Sequence, residues 1–373
     1  MAFIRDTVAL GWFSMSFKKL RKNKVIAFLA ALIILLFVTA VLVIWTDPFL
    51  HYHAPYPYLS IRLDNERMQN CGIIKNLDYN AVISGSSMTE NFCTSEFDML
   101  FSTVSVKIPF SGATFFEVSE EIRHAYESGH SLQYVFRSFD LNHIAEDHDS
   151  IRTDLGEYPF YLYNKSVFDD YKYILNSDVI FSYSIPALTG LINHDRRGMT
   201  SFDDYMSWRV GQETGKEVVL RGRESFSFPK AQMHLSKEDI NQIMLNVREN
   251  ITDLADAHPE TVYIYFIPPY SVYWWGLQKE NGEFERTIEA EKLALKEMLQ
   301  RENIRVHCFT NMFDFTEDLN NYKDESHYLT ETNSDILQMI KNNEGRVTPE
   351  NLNSVLVMQR DYYVNYDYDS IFN

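Results

Sequence analysis

The stretch Ala81-Val-Ile-Ser-Gly-Ser-Ser-Met-Thr-Glu-Asn-Phe92 decides how this chain is read. Asn80–Ser84 is a short apolar run that suits a buried strand, Gly85-Ser86-Ser87 is a tight turn, and Met88 onward reads as helix. A strand that turns sharply into a helix leaves its turn serine exposed at the carboxyl end of a sheet, facing the helix N-terminus. Open α/β sheets hold ligands there, and backbone N–H groups there can hold an oxyanion. Ser87 is therefore a candidate nucleophile, provided that a base reaches it.

The same rhythm runs outward from this stretch. Val104–Ile108 predicts a second strand, ending in Pro109-Phe-Ser-Gly-Ala-Thr114; Phe115–Ser128 predicts a helix and Leu132–Phe139 a third strand. Asp140 to Ser236 breaks the pattern with a block rich in Tyr, Phe and Asp. It then resumes with a helix over Lys237–His258, a fourth strand over Thr261–Ile267, a helix over Phe284–Arg301, a fifth strand over Ile304–Phe309 and a helix near Thr332–Asn342. Strands alternating with helices mean βαβ units, so the expectation is one α/β domain over residues 78–345 with about five parallel strands. Its insertion, 140–236, follows a strand end, where substrate lids and recognition elements grow. Residues 346–373 read as an acidic, Tyr-rich tail.

Val25–Trp45 is a run of 21 residues without a charge. Roughly 20 apolar residues cross a bilayer as helix, so this stretch predicts a single transmembrane span. Lys18, Lys19, Arg21, Lys22 and Lys24 precede it, which puts residues 1–24 in the cytoplasm and the rest outside. The apolar core is too long for a cleaved signal, and no small-x-small cleavage site follows it. A signal anchor is the expectation. Pro48, Pro55 and Pro57 then suggest an extended stalk over residues 46–77. His51 and His53 beside the span lack a third ligand and read as interfacial polar residues.

Net charge is −18 over 373 residues, and residues 1–46 carry +5, so the remainder is strongly acidic. A body without a basic stripe is a poor nucleic-acid binder. Three cysteines, Cys71, Cys93 and Cys308, form no Cys-x-x-Cys pair and support neither a disulfide framework nor a thiolate metal site. No metal or cofactor is expected.

A serine nucleophile needs a base within reach and a group to orient that base. Asp-x-x-His supplies both, and it occurs twice: Asp140-Leu-Asn-His143 and Asp324-Glu-Ser-His327. Asp324 and His327 follow the last strand, on the side where the first strand ends at Ser87. His143 also follows a strand and remains the second choice.

In their order along the chain these blocks resemble the SGNH/GDSL hydrolases. Gly85-Ser86-Ser87 matches the first block, with Ser86 where the family usually has aspartate; Gly112 matches the second, and Asp324 and His327 match the last. The family's Gly-x-Asn-Asp is absent, with Asn142 as a stand-in. Gly-Ser-Ser looks like the membrane-anchored relatives that handle acyl groups on envelope polymers, such as the teichoic-acid D-alanylation protein and the alginate acetyltransferases. The resemblance implies a three-layer, flavodoxin-like α/β sandwich and a Ser87–His327–Asp324 triad. It also implies an oxyanion hole from the Ser87 and Gly112 N–H groups and Asn142. The implied activity is esterase or O-acyltransferase chemistry on cell-envelope glycans or acylated polymers, with a membrane acyltransferase as partner. Tyr270, Trp274 and Trp275, after the fourth strand, suit a sugar-stacking substrate rim. The alternative is the same fold without catalysis, as a surface protein in envelope binding or assembly.

Overall fold

The computed structural model describes residues 5–154, 157–209, 211 and 213–373, which form two compact units. The smaller unit comprises the chain up to Pro48, Pro55–Ile61 and Asn164–Gly198; the larger comprises Phe49–Ala54, Arg62–Tyr163 and Met199–Asn373.

The larger unit is built on one six-stranded sheet. Its strands are β1 (Ala81–Gly85), β2 (Ser105–Pro109), β3 (Tyr134–Ser138), β4 (Val262–Ile267), β5 (Ile304–Cys308) and β6 (Arg346–Val347). They lie in the order β2-β1-β3-β4-β5-β6; the first five are parallel and β6 runs antiparallel to β5. Val82, in the middle of β1, pairs with Val106 on one side and Val135 on the other. Buried parallel strands read as largely apolar runs, which is why β1 and β4 stand out in the sequence; β2 and β3 each carry a buried cation, Lys107 and Arg137. The chain reverses its direction of travel across the sheet between β1 and β3. A crevice opens at the carboxyl ends of strands at such a switch point, and Ser86 and Ser87 follow β1 there.

Two stretches differ from their sequence reading. The expected stalk is folded: Asn65 caps a helix over Glu66–Asn76 by accepting from the Met68 N–H, and Phe49 and Leu50 are buried. Gly72 is what allows this packing, because a Cβ there would stand 1.9 Å from the Phe49 carbonyl oxygen. The preceding helix ends at Thr46, just before Pro48, and the prolines do not keep Phe49 and Leu50 from being buried.

The expected tail is equally integral. It carries β6 and a helix over Leu352–Asn365. Gln359, fully buried, donates to Glu291 Oε2 at 2.7 Å and accepts from Thr310 Oγ1 at 2.6 Å, while Tyr363 donates to the Thr310 carbonyl. Between its acidic residues, Leu352, Leu356, Tyr363, Tyr368 and Ile371 are buried.

In the smaller unit one helix, α1, runs from Arg5 to Thr46. Asn23–Thr46 is long and apolar enough to cross a membrane, with a mean hydropathy of 3.2. Residues 1–4 of the segment assigned to the cytoplasm lie outside the described residues.

Candidate active site

The turn after β1 is shaped by Gly85, Ser86 and the strand beside it. Gly85 has φ 141, and a Cβ there would stand 2.5 Å from Ser138 Oγ, so the close approach of β1 and β3 requires glycine. The Ser138 hydroxyl donates to Asp140 Oδ2 at 2.6 Å and accepts from the Ser86 N–H at 3.4 Å. Ser86 then caps the 3-10 turn Ser87–Thr89, its hydroxyl accepting from the Met88 N–H. Helix proper begins only at Thr94, later than the sequence suggests. The intervening segment is held by Lys107, a fully buried lysine on β2, whose ammonium donates to the carbonyls of Glu90 and Phe92. Burial pulls this ammonium down to about 8, and Arg209 adds to the effect.

Asp324 and His327 sit on a short loop closed by the Tyr322–Tyr328 bridge and by the Lys323 N–H, which donates to the His327 carbonyl at 3.0 Å. Ser271 and Tyr322 tie this loop to the end of β4: the Ser271 hydroxyl donates to the Glu325 carbonyl at 2.5 Å, and the Tyr322 hydroxyl to the Pro269 carbonyl at 2.6 Å. Ser87 Oγ lies 2.7 Å from His327 Nε2, and His327 Nδ1 lies 2.9 Å from both Asp324 oxygens. With the proton on Nδ1, the ring donates to Asp324 and accepts from the serine hydroxyl. Burial alone would raise the Asp324 carboxyl. The His327 ring and the N–H groups of His327 and Ser326 outweigh it and hold the carboxyl at about 2. An ionised carboxylate fixing an imidazole against a serine is the geometry in which the imidazole takes the hydroxyl proton during attack on a carbonyl carbon.

Pro109–Thr114 forms the neighbouring wall. Its backbone is held from three sides: Ser111 N–H donates to Glu66 Oε1 at 2.9 Å, the Ser111 carbonyl accepts from Arg152 Nη1 at 2.8 Å, and Thr114 N–H donates to Glu117 Oε2 at 3.1 Å. Gly112 has φ 62, and a Cβ on it would stand 1.8 Å from Arg152 Nη1. Donors fixed in advance cost no reorganisation when charge develops, which is what an oxyanion hole requires.

Four neighbours of this site, Glu66, Glu90, Trp208 and Lys323, are not among the candidate residues named from the sequence. Burial raises both Glu66, to about 8, and Glu90. For Glu66 the Glu90 charge adds to the rise, and the Ser111 N–H and Arg152 oppose it. For Glu90 the His327 ring and Lys323 oppose it. The Trp208 ring meets the His327 ring edge to face at 5.9 Å, and Lys323 Nζ sits 3.3 Å from the centre of the Trp208 ring. Lys323 is legible as part of Asn321-Tyr-Lys-Asp-Glu-Ser-His327, and Trp208 as the end of the insertion's Thr200–Trp208 string. The carboxyls give no signal in sequence, because only tertiary packing makes them unusual.

The remaining residues singled out in the sequence lie elsewhere. Asp140 does not pair with His143; it holds Ser138, and Tyr270 donates to its other oxygen at 3.4 Å. His143 faces Glu146 instead, with Nδ1 2.9 Å from Oε1. Asn142 is exposed on the 3-10 turn Leu141–His143 and makes no hydrogen bond to Ser87, His327 or the Gly112 loop among the described residues.

Tyr270, Trp274 and Trp275 are buried rather than presented at a rim. Ser271 caps a helix over Val272–Glu280, which turns these rings inward. Tyr270 stacks on Trp274 at 4.4 Å, and Trp275, 0% exposed, stacks on Tyr363 at 4.8 Å.

Cys71, Cys93 and Cys308 are free and buried. Among the described residues no group of three or more His, Cys, Asp or Glu is arranged to hold a metal ion. No family model matches the chain, and no curated protein and no solved structure matches it.

Proposed function

We propose that this chain is a membrane-anchored serine esterase or O-acyltransferase of the SGNH/GDSL kind, acting outside the membrane on acyl esters of cell-envelope glycans or polymers. The observation that carries this reading is the Ser87–His327–Asp324 relay, with contacts of 2.7 and 2.9 Å. The parallel strand order fits a three-layer sandwich of that kind. The apolar span of α1 fits an anchor with a cytoplasmic N-terminus, which would place the triad where a membrane acyltransferase could supply acyl groups.

Ser87 Oγ attacks the ester carbonyl carbon as its proton passes to His327 Nε2, and Asp324 stabilises the imidazolium. The tetrahedral oxyanion accepts from the N–H groups of Ser87 and Gly112. Collapse breaks the ester C–O bond, His327 returns the proton to the leaving oxygen, and an acyl-serine remains. Water, or a sugar or polyol hydroxyl deprotonated by His327, then resolves it.

Turnover of acetylated glycans by the full chain, with and without a polyol acceptor, tests the proposal. Free acetate marks hydrolysis, an acetylated acceptor marks transfer, and Ser87→Ala should abolish both. A second reading, an inactive binding protein on the same fold, draws on the displaced Asn142. Glycan binding without any turnover, unchanged by Ser87→Ala, would favour it.

A further inference from the structure

The smaller unit contains a helix whose outward face is apolar without being covered by protein. Thr46, in the last turn of α1, donates from its hydroxyl to Ser184 Oγ at 2.9 Å, and the Tyr173 hydroxyl donates to Asp47 Oδ1 at 2.9 Å. Both contacts join the end of α1 to Asn164–Gly198. They bury Val43, Thr46 and Asp47, whereas Val25 to Phe37 of the same helix stay exposed.

Ser184 belongs to the helix Val179–Ile192. This helix opens with a π-turn, Val179–Ser184, that precedes Pro186. A wider turn suits a helix in which proline removes a backbone donor. Val179, Tyr183, Ser184 and Ala187 are buried, while Phe181, Ile185 and Ile192 on the other face are exposed, Phe181 by 67% and Ile192 by 68%. A surface helix facing water carries polar residues on that face. Here both faces are apolar. The same segment exposes Val167 and Phe168, the latter by 91%, together with Tyr171 and Leu175.

Position along α1 identifies the occupant. The hydrocarbon core is about 30 Å thick and takes about 20 residues of helix. Asn23–Thr46 spans that distance, so Thr46 marks the depth at which the chain leaves the acyl chains. Ser184 shares that depth through its hydrogen bond. Charge agrees: Asn164–Gly198 carries four basic and four acidic residues, and is neutral in a chain of net −18. Lys165 and Arg196 are exposed on either side of the apolar residues, while Arg197 pairs with Asp195 at 2.8 Å. A neutral segment with cationic flanks tolerates a phospholipid headgroup layer that an acidic surface would not.

We propose that the helix Val179–Ile192, with Val167 and Phe168, is a second membrane contact. It lies in the interface of the leaflet that α1 leaves at Thr46, with Phe181, Ile185 and Ile192 among the upper acyl chains. The inference rests on α1 spanning the bilayer, which the proposed function also uses, and it goes beyond that function.

The test uses the full chain in phosphatidylcholine–phosphatidylglycerol liposomes, with an environment-sensitive fluorophore on Phe181→Cys or Ile192→Cys. Reference labels sit on Phe37→Cys in α1 and on the exposed Val357→Cys of the larger unit; the native cysteines are buried. Labels at 181 and 192 should be quenched by lipids carrying a nitroxide high on the acyl chain, and protected several-fold from aqueous iodide relative to 357. Iodide quenching at 181 as strong as at 357, with 37 still quenched by lipid, would overturn the second contact and leave the anchor intact. Iodide access at 37 would remove the anchor and the inference together. Protection at 181 from both quenchers would assign the face to protein, a partner or a second copy, and equally overturn it. All labelled variants are exposed-site substitutions and should keep the parent's thermal melt.

Discussion

Ser87 and His327 are separated by 240 positions in the chain, and their side chains meet at 2.7 Å. The meeting follows from a parallel sheet: β1 and β5 both end on the same side, so loops from distant parts of the chain share one edge. Neither residue needs its own elaborate support. The turn beneath Ser87 hangs on Gly85 and Ser138, and the loop beneath His327 hangs on Ser271 and Tyr322.

Asp324→Asn keeps the shape of the loop and removes the charge that fixes the His327 tautomer. Loss of the orienting carboxylate costs roughly 10⁴-fold in turnover in serine hydrolases. The expected outcome in steady-state ester hydrolysis is a fall of that order in kcat with KM little changed. A fall of only a few-fold would show that the imidazole is oriented by another group.

Gly112→Ala introduces a Cβ at a φ of 62, 1.8 Å from Arg152 Nη1. The left-handed conformation costs about 1 kcal/mol for a residue with a Cβ, and the guanidinium must leave the Ser111 carbonyl. If the Gly112 N–H holds the oxyanion, kcat falls by the equivalent of about 2.7–4 kcal/mol, while circular dichroism melting shifts only slightly. Unchanged kcat would remove this loop from the oxyanion hole.

Glu66 makes the site sensitive to alkali. Its carboxyl, raised to about 8 by burial and by Glu90, is neutral at lower pH while Oε1 accepts from Ser111. Above that value it ionises beside the Gly112 loop, facing Glu90, Glu121 and Arg152, and would oppose the oxyanion of the proposed reaction. Activity of the wild type should decline as pH passes about 8, and Glu66→Gln should flatten that limb. The stability sign follows from the same shift. A carboxyl with a raised folded value binds its proton more tightly folded than unfolded, so its contribution is full below pH 4.5 and is lost as pH rises through about 8. The melting temperature of the wild type should therefore fall across that window relative to Glu66→Gln.

Trp275→Ala separates a core role from a substrate rim. The ring is fully buried against Tyr363 and Phe284, and truncating such a residue costs about 3–5 kcal/mol. Chemical denaturation should show a loss of that size. A stable variant with a raised KM for glycan esters would instead return this residue to the binding surface.

The alternation of strands and helices was readable because Ala81-Val-Ile and Val262-Tyr-Ile-Tyr-Phe-Ile are unbroken apolar runs, and the other parallel strands carry one Lys or Arg each, Lys107, Arg137 and Arg305, among apolar residues. Ser87, Asp324 and His327 could be named because short polar motifs at strand ends are local in sequence. Other features were not local. An aromatic run such as Tyr270–Trp275 carries no direction; the Ser271 cap and the packing of Tyr363, far along the chain, turn it inward. Asp140 looks like a partner for His143 by spacing, yet the hydroxyls of Ser138 and Tyr270 take its oxygens. Glu66 and Glu90 look like surface carboxylates until burial sets them apart.

The central claim is that Ser87 is an activated nucleophile, and covalent trapping tests it most directly. The full chain is treated with a fluorophosphonate probe at neutral pH, and the modified peptide is mapped by mass spectrometry. The account predicts one adduct, on Ser87, absent from Ser87→Ala and strongly slowed in His327→Ala. A folded wild-type chain that takes up no probe, or takes it up equally well after Ser87→Ala, would contradict it.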